Sequence, residues 1–365
     1  MAELEFLYRQ PVEIHFGAGK ASMLRAVLAQ YGVKNAVLVC GKHFKAEAEK
    51  LQAESGVICA IFSGVEPNPR LSGAAEAMRL ARENGADALI GVGGGSAIDT
   101  AKFAAACAPG DRDAEYYYRT TDFPAQPLKI FAVPTTAGTG SEVTQVSVIS
   151  HGEEKKTINN PVFMPTAAIV DPMLTVSVPP RTTMNTGLDA LAHALEGYWS
   201  VNHQPISDLM AVEAVRLIME NLETAYTHGD DVNARTAMSM ASLLGGLSFA
   251  LPKTAGVHAC SYPLSEDCHL PHGEACAFTL DSFVEINRDA RLDELCRRAG
   301  LRDSAELAAR IRVLKHLAGL RTRLSELENG DAHALAEKCA VHPLMGNNPV
   351  KMDAAQLEAM LEALR

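Results

Sequence analysis

The first half of the chain alternates short β-rich runs with helix-forming segments, and this alternation limits the possible folds more than any other feature. Four apolar runs of strand length end in Gly, Pro or Thr, at residues 35–41, 56–64, 86–95 and 127–136. Helix-forming composition fills the intervals, for example residues 72–84. Near-continuous apolar strands separated by helices predict a parallel sheet that is covered on both faces.

The character of the sequence changes near Pro179 and Pro180. Before this point, residues 143–150 and the following GEEKK and TINN predict a hairpin or loop excursion, and residues 166–172 are expected to return the chain to the sheet. Beyond it, Ala, Leu, Met and Glu dominate and predict only helices. We therefore expect an α/β domain over residues 1–180 and an all-helical domain over residues 181–365. The uncharged run 236–252 is interrupted by three separate Ser and by the pair Gly245–Gly246, which predicts a buried core helix and not a membrane span.

Composition excludes several classes of protein. With 44 acidic and 33 basic residues the formal net charge is −11, and the aromatic residues are not interleaved with Lys/Arg clusters, so no nucleic-acid surface is predicted. The first ten residues carry two Glu and lack the apolar core of a secretory signal, which indicates a cytoplasmic protein without membrane contact. Eight cysteines without a C-x-x-C pair predict reduced, mostly buried thiols.

A glycine-rich turn follows the third apolar run, in LIGVGGGSAIDTAK (89–102). The turn carries no Cβ atoms because it consists of Gly93, Gly94 and Gly95, and Ser96 stands at the start of the next helix. Backbone N–H groups can therefore approach a phosphate, toward which the helix N-terminus contributes about half a positive charge. The segment is not the G-x-G-x-x-G fingerprint, so a phosphate site and a structural turn both remain open on this motif alone.

A second strand end favours the nucleotide interpretation. The segment AVPTTAGTGSE (132–142) carries three hydroxyls, those of Thr135, Thr136 and Thr139, beside two glycines. Such hydroxyls suit contacts with a ribose or pyrophosphate, and loops at the ends of parallel strands are where nucleotides bind in open sheets.

The helical half carries the pattern of a metal site. Asp189 and His193 are four residues apart in GLDALAHALEG (187–197) and share one helix face with small apolar residues. A stretch punctuated by Pro and Gly (256–275) adds His258, His269 and His272. Imidazoles with one carboxylate suit Fe(II) or Zn(II), whereas a satisfied core pair is the alternative for Asp189 and His193. A metal that polarises a substrate oxygen, together with a nucleotide that exchanges hydride, predicts a dehydrogenase.

At these residues the chain resembles the iron-containing (group III) alcohol dehydrogenases along essentially its whole length. The matching blocks are GVEPNP (64–69), GGGSAIDTAK (93–102), PTTAGTGSE (134–142), GLDALAHALEGYWS (187–200), NHQPISD (202–208) and the segment from residue 258 to 272 that ends in PHG. The resemblance implies a dinucleotide-binding α/β domain and a helical metal-binding domain, NAD(P)H as cofactor, small aldehydes or alcohols as substrates, and a homodimer or larger homo-oligomer. By motif position it implies the metal ligands Asp189, His193, His258 and His272, with His269 outside the site.

One departure from the family pattern concerns the proton. Many members have a His four residues after the third ligand that is thought to relay a proton near the nicotinamide, and here that residue is Tyr262. A phenol, with a reference pKa of about 10, is a poorer base than imidazole near neutral pH. The substitution resembles that in phosphonoacetaldehyde reductases, so the expected reaction is reduction of a small aldehyde such as phosphonoacetaldehyde to 2-hydroxyethylphosphonate. Tyr262 and His272 are the predicted catalytic residues.

The other departure concerns the cofactor. Many NAD-dependent members have an Asp at the end of the second β-run that repels a 2′-phosphate, whereas this chain has Gly41 followed by Lys42. NADP(H) is therefore expected to be accepted, and its rank relative to NAD(H) stays open. Lys156 resembles a family position near the cofactor, with a solvated charge as the alternative. Asp99 is placed in the same site, with a helix-surface ion pair to Lys102 as the alternative.

Three other functions remain open. A general short-chain alcohol dehydrogenase or lactaldehyde-type reductase would share the chemistry. A lyase of the dehydroquinate-synthase type resembles this fold, but its metal set has Glu at the position of Asp189. Its substrate site is rich in basic residues, and residues 180–280 show no such enrichment. A nucleotide- or metal-binding module without turnover would explain the missing relay His. Arg181 and Lys253 are near ligand segments in sequence and are candidates to hold a phosphonate.

Overall fold

The computed structural model describes residues 5–152 and 154–364, which divide into two compact units. We call them the α/β unit (Gln10–Thr136 and Gly140–Val176) and the helical unit (from Ser177 onward). The segment ending at Arg9 and the short segment Ala137–Thr139 group with the helical unit. The compact units thus divide after Val176, close to the cut expected after residue 180.

The described residues of the α/β unit form eight strands: β1 (Glu13–Phe16), β2 (Ala36–Gly41), β3 (Ile58–Val65), β4 (Ala88–Gly93), β5 (Lys129–Pro134), β6 (Val146–His151), β7 (Glu154–Asn159) and β8 (Ala167–Val170). Its helices are α1 (Leu24–Gln30), α2 (Lys45–Ser55), α3 (Leu71–Glu83), α4 (Gly95–Cys107) and α5 (Ala114–Thr120). The main sheet is entirely parallel, in the order β1-β8-β5-β4-β2-β3, and β6 and β7 form a separate antiparallel hairpin.

This architecture confirms the predicted parallel sheet. The four predicted runs form β2 to β5, the predicted excursion is the β6–β7 hairpin, and the predicted return is β8. Strands β4 and β8 are buried on both faces except at Gly93, as expected of strands covered by helices on each side. The sequence analysis did not predict strand β1, because the strand is only four residues long and includes the polar residues Glu13 and His15. It forms by pairing with β8.

Two glycines allow α4 to pack closely on the strand before it. A Cβ atom on Gly91 would lie 2.9 Å from the Cα of Ile98, and one on Gly93 would lie 2.8 Å from the Cβ of Ala97. Gly93 also has φ +150°, a conformation that L side chains rarely adopt. The glycine-rich turn therefore has a packing role, whether or not it also holds a phosphate.

Lys102 ties α4 to the hairpin. Its side chain is completely buried, and Nζ donates to the backbone carbonyls of Ser141, Thr144 and Val146 at 2.6, 2.9 and 2.9 Å. Burial lowers the pKa of Lys102 to about 8, although nearby carboxylates oppose the shift. Asp99, one turn earlier, accepts from Ser141 Oγ at 2.6 Å and from Val148 N at 2.9 Å. These contacts join helix and hairpin through polar groups shielded from water.

The helical unit contains α6 (Pro180–Trp199), α7 (Pro205–Thr227), α8 (Val232–Phe249), α9 (Gly256–Glu266), α10 (His272–Ile286), α11 (Ala290–Arg298), α12 (Ser304–Leu317), α13 (Ala332–Val341) and α14 (Ala354–Glu362). Helix α6 is buried along most of its length and packs on α7, α8 and α10. The uncharged run 236–252 lies mostly in the buried helix α8, which confirms that prediction.

Two further expectations are tested by the described residues. All eight cysteines are free thiols, and all but Cys59 are buried, which confirms the prediction of reduced, mostly buried thiols. Within residues 5–152 and 154–364, no helix combines the length and the apolar character needed to cross a membrane.

We expect Lys102→Met to lower the free energy of unfolding by about 3 kcal/mol, because the substitution leaves buried carbonyl and carboxylate oxygens without their cation. Urea denaturation at pH 7 measures the change. Lys50→Met, on the exposed side of α2 in the same unit, is the matched control. A loss no larger than that of the control would contradict the anchoring role of Lys102.

Candidate metal centre and nucleotide site

Helix α6 carries the first two candidate ligands. Asp189 and His193 lie one turn apart on its buried face, 2% and 5% exposed, with His193 Nδ1 3.8 Å from Asp189 Oδ1. Burial lowers the pKa of His193 to about 4 even though Asp189 opposes the shift. The imidazole is therefore neutral at pH 7, which is the form that binds a metal.

The other two candidate ligands come from α9 and α10. His258 Nε2 and His272 Nε2 each lie 3.6 Å from Asp189 Oδ1. His272 is the first residue of α10, and a Cβ atom on Gly273 would collide with the backbone carbonyl of Asn185 on α6. The glycine after the ligand therefore lets the start of α10 rest directly on α6, and this brings His272 to Asp189.

Glu196 is a residue of the site that the sequence analysis missed. It is completely buried on α6, its Oε2 accepts the hydrogen of His258 Nδ1, and its Oε1 accepts from the backbone N–H of Ala255 at 2.8 Å. A hydrogen on Nδ1 leaves the lone pair of His258 Nε2 directed at Asp189. The spacing of Asp189, His193 and Glu196, at i, i+4 and i+7 on one helix face, is the sequence signal that could have revealed it.

Two buried ligand atoms of the site are available to bind a cation. Asp189 Oδ1 and His258 Nε2 are both buried and have no hydrogen-bond partner among the residues that the structure describes. Such an arrangement costs about 1–3 kcal/mol for each atom unless an ion or water satisfies it. Burial alone would raise the pKa of Asp189, but His193, His272 and His258 hold it well below its usual range. The residues present therefore fit a divalent metal, with a charged carboxylate and imidazole nitrogens facing one point.

His193 makes a contact that fixes its ring. Its Nδ1 lies 3.3 Å from the backbone carbonyl of Gly138, and its ring stacks on Phe249 with centroids 4.3 Å apart. A hydrogen on Nδ1 directed at this carbonyl leaves Nε2 as the metal-binding atom. The segment Ala137–Thr139, which includes the predicted cofactor residue Thr139, thus supports a candidate ligand within the helical unit.

Cys276 is a second missed residue. Among the described residues, Asp189, His258, His272 and Cys276 form the group whose candidate ligand atoms all lie within 4.8 Å of one another. Cys276 stands one turn after His272 on α10, fully buried, with Sγ 3.9 Å from His272 Nε2. Its i+4 spacing from a predicted ligand was visible in the sequence.

The predicted proton donor lies one helical turn beyond His258. Tyr262 is on α9, and its ring stacks on His342 with centroids 4.5 Å apart and planes inclined by 28°. Burial lowers the pKa of His342. His269 is exposed and follows α9 with φ +54°, and it is absent from the group of metal-binding atoms found among the described residues.

A charged cluster stands beside the start of α10. Glu274, two residues after His272, is completely buried, and it accepts from Arg181 Nη2 at 3.0 Å and from Arg321 Nε at 2.9 Å. Two guanidinium groups on one carboxylate leave a net positive charge, and the Arg181 side chain is about half exposed. Lys253 is exposed, with φ +67°.

The predicted cofactor residues of the α/β unit lie at one edge of the sheet, where neighbouring strands end. They are Gly41 and Lys42 after β2, Gly94, Gly95 and Ser96 after β4, and Thr135 and Thr136 after β5. The register pairs Gly93 with Pro134, and a Cβ atom on Gly94 would lie 3.1 Å from Thr136 Oγ1. Gly95 begins α4, so N–H groups of a 13-residue helix face this edge. This edge is the usual place for a nucleotide in such sheets.

Two predicted cofactor residues have contacts within the chain that account for them without a ligand. Both carboxylate oxygens of Asp99 accept hydrogen bonds, from Ser141 and Val148. Lys156 Nζ donates to the carbonyl of Tyr118 at 2.8 Å and lies 5.3 Å from the centre of that ring. Their part in cofactor binding stays a prediction.

Comparison with known proteins identifies the family. Residues 11–172 match the model of iron-containing alcohol dehydrogenases, and residues 183–365 match the C-terminal model of the same family. A long-chain-alcohol dehydrogenase of Geobacillus thermodenitrificans is 36% identical over 85% of this chain and 83% of its own. A sulfoacetaldehyde reductase of Bilophila wadsworthia is 30% identical over 86% of each chain. The crystal structure of a sulfoacetaldehyde reductase from Bifidobacterium kashiwanohense in complex with NAD+ has a TM-score of 0.94, 39% identity and 99% coverage of each chain.

We expect Glu196→Gln to lower the affinity for Zn(II) by about 10- to 100-fold, because it removes the carboxylate that fixes the His258 ring. Competition of the metal-stripped chain with a chromophoric chelator measures the affinity. Glu223→Gln, on the exposed side of α7, is the control. Equal affinity of Glu196→Gln and the native chain would show that His258 needs no such support.

Proposed function

Because the chain belongs to the iron-containing alcohol dehydrogenase family, we propose that it is a metal-dependent oxidoreductase that reduces a small aldehyde carrying an anionic group to the primary alcohol with NAD(P)H. The observation that carries the proposal is the group of Asp189, His258 and His272, in which buried Asp189 Oδ1 and His258 Nε2 have no hydrogen-bond partner among the described residues, with His193 one turn from Asp189. Fe(II) or Zn(II) held there would supply Lewis acidity toward the oxygen of the substrate. His272→Ala is accordingly expected to abolish metal retention and activity together.

Support for an anionic substrate comes from two directions. Two relatives are named sulfoacetaldehyde reductases, and phosphonoacetaldehyde carries a phosphonate in place of the sulfonate of that substrate. Beside the ligand His272, the half-exposed Arg181 contributes to a cluster with net positive charge. Arg181 can thus bind a tetrahedral anion through the N–H groups that Glu274 does not occupy. The specific substrate in this proposal is phosphonoacetaldehyde, with sulfoacetaldehyde as the closest rival.

We assign the role of proton donor in aldehyde reduction to Tyr262. Its position one turn after His258 on α9 places it on the same helix face as a candidate ligand. The stacked His342 ring limits the movement of the phenol. A phenol O–H can donate a hydrogen bond to the carbonyl oxygen of the substrate and release its proton to the alkoxide that hydride transfer leaves there, and solvent then reprotonates the phenolate.

The cofactor is proposed to bind at the edge formed by the ends of β2, β4 and β5. The glycine turn before α4 and the hydroxyls of Thr135 and Thr136 suit a pyrophosphate and ribose. Gly41 and the exposed Lys42 present no carboxylate to a 2′-phosphate, so NADPH is accepted beside NADH. A cytoplasmic location and a homodimer or larger assembly remain predictions.

The alternatives have less support. A general short-chain alcohol dehydrogenase would use the same ligands, but its uncharged substrates carry no anionic group for Arg181 to bind. The dehydroquinate-synthase-type lyase requires Glu where this chain has Asp189. A binding module without turnover would also use the Glu196–His258 pair and the unpartnered metal-binding atoms, and oxidation of NAD(P)H with any short aldehyde excludes it.

We expect the metal-stripped enzyme, reloaded anaerobically with Fe(II) or Zn(II), to show a kcat/KM for phosphonoacetaldehyde about tenfold above that for propanal or butanal. One hydrogen bond to a charged group, roughly 1.5 kcal/mol, supplies this factor. NADH and NADPH oxidation are both followed, with sulfoacetaldehyde and lactaldehyde as further substrates.

The ratio of kcat/KM for the anionic aldehydes to kcat/KM for propanal or butanal should fall in Arg181→Gln and stay unchanged in Lys253→Gln. Similar rates on all aldehydes would favour the general dehydrogenase, and phosphate release from a sugar phosphate would favour the lyase. A preference for NADH over NADPH of about tenfold or more would refute the assignment of Lys42.

Tyr262→Phe is expected to lower kcat for aldehyde reduction about 100-fold while KM changes little, since it removes the proton donor but keeps the ring. Steady-state kinetics near pH 7 measure both constants. Tyr226→Phe, on α7 in the same unit, controls for the loss of a hydroxyl. An unchanged kcat in Tyr262→Phe would assign the proton to water instead.

A further inference from the structure

We propose that Asn185 contacts the anionic group of the substrate and selects a phosphonate over a sulfonate. Its Oδ1 accepts the hydrogen that a singly charged phosphonate carries, whereas a sulfonate has no such hydrogen. The inference rests on the proposed function and separates the two anionic aldehydes that are rivals there. Arg181 does not make this distinction, because a guanidinium only donates hydrogen bonds and both anions accept them.

Helix α6 places Asn185 between the charged cluster and the candidate metal ligands. Arg181, Asn185 and Asp189 follow one another at intervals of four residues, so they lie along one side of the helix. Arg181, at one end of this row, binds the buried Glu274 and is half exposed. Asp189, at the other end, is the first candidate ligand. An anion attracted by the charge of Arg181 therefore lies beside Asn185 when the rest of the molecule reaches Asp189.

Contacts with the start of α10 show the same order. A Cβ atom on Gly273 would collide with the backbone of Asn185, so the two helices touch at this level. The next residue, Glu274, belongs to the charged cluster, and the residue before, His272, is a candidate metal ligand. Asn185 therefore lies between these two groups in the packed structure as well as along α6.

The side chain of Asn185 includes a buried polar atom that needs a partner. Asn185 is 8% exposed, and within residues 5–152 and 154–364 its Oδ1 has no hydrogen-bond donor. The metal of the proposed function has four ligands without this oxygen, so the metal does not supply the partner. A buried acceptor in this state is costly, and a ligand that brings an O–H group to it gains affinity.

The length of the substrate fits this arrangement. Four residues advance an α-helix by about 6 Å, which is the rise from Asn185 to Asp189. In phosphonoacetaldehyde, two carbons separate the aldehyde oxygen from phosphorus, a span of about 4 Å. Because side chains lean toward the N-terminus of their helix, the atoms that Asp189 contacts lie on the side of Asn185. With the aldehyde oxygen at the candidate ligands, the phosphonate therefore reaches Asn185.

The two anions differ in the group that Asn185 Oδ1 requires. A phosphate ester loses its second proton with a pKa of about 6, and a phosphonate, which has the same P–O–H group, titrates in this region. Near pH 6 much of the phosphonate therefore carries one O–H that can donate to Oδ1. A sulfonate and a phosphonate monomethyl ester present only acceptor oxygens. Either of them would leave Oδ1 without a donor.

Binding to the full chain, loaded with one equivalent of Zn(II), tests the proposal without turnover. Isothermal titration calorimetry at a pH of about 6 gives the Kd of 2-hydroxyethylphosphonate, of its monomethyl ester and of 2-hydroxyethanesulfonate. We expect the native chain to bind the phosphonate more tightly than the other two, and each of these ratios to fall about tenfold in Asn185→Leu. Leu keeps the branched shape of Asn without an acceptor. Asn233→Leu, at an exposed position of α8, should keep the native ratios.

Three results would overturn the proposal. The first is equal affinity of the native chain for the three ligands, and the second is a set of ratios that persists in Asn185→Leu. The third is equal weakening of all three ligands in Asn185→Leu, which would make Asn185 a general anion donor or a support of the fold. If Asn185→Leu does not fold, Asn185→Ala provides the same comparison.

This inference and the proposed function fail in different ways. The ratio of kcat/KM for phosphonoacetaldehyde to kcat/KM for sulfoacetaldehyde should also fall about tenfold in Asn185→Leu. A chain that oxidises NAD(P)H with aldehydes, but whose binding and kinetic ratios do not depend on Asn185, refutes this inference alone. A chain whose binding ratios depend on Asn185, but which oxidises NAD(P)H with no aldehyde, refutes the proposed function alone.

Discussion

The helical unit depends on one constraint: within residues 5–152 and 154–364, the buried carboxylate oxygen Asp189 Oδ1 has no hydrogen-bond donor, and it faces imidazole nitrogens of α9 and α10. An anion in this position is costly unless positive charge meets it. Burial of the His258 ring lowers its pKa, but the charges of Cys276 and Glu196 and a hydrogen bond to Asp189 outweigh this and hold the pKa well above its ordinary value. The pocket therefore attracts positive charge, and a divalent cation meets that demand with directed bonds.

The rest of the unit holds these donors in place. Glu196 orients His258, the carbonyl of Gly138 orients His193, and the close approach at Gly273 sets the start of α10. Glu274, two residues after His272 in the first turn of α10, is anchored by Arg181 and Arg321. Each support is a contact between the helix that carries the ligand and a different part of the chain, which is how a site keeps its geometry before a ligand arrives.

The sequence alone was sufficient to predict the elements that local or periodic patterns of residues determine. Hydrophobic period and residue spacing define buried strands β2 to β5, the hairpin and the pair of Asp189 and His193, so the sequence predicted all of them. Strand β1 was not, because only pairing with β8 makes it a strand. Glu196 and Cys276 were visible as i+7 and i+4 partners of ligands, but their role depends on helices that pack together from distant parts of the chain. The stacking of His342 on Tyr262 joins residues with no sequence relation at all.

The central claim is that one divalent metal per chain binds at the site of Asp189, His193, His258 and His272, and titration of that metal is the most direct test. The metal-stripped chain would receive Fe(II) or Zn(II) anaerobically in fractional equivalents, with bound metal and NAD(P)H oxidation followed in the same samples. We expect binding to saturate at one equivalent and turnover to rise in proportion to occupancy. Full turnover by the stripped chain, or the absence of tight binding below one equivalent, would contradict the account.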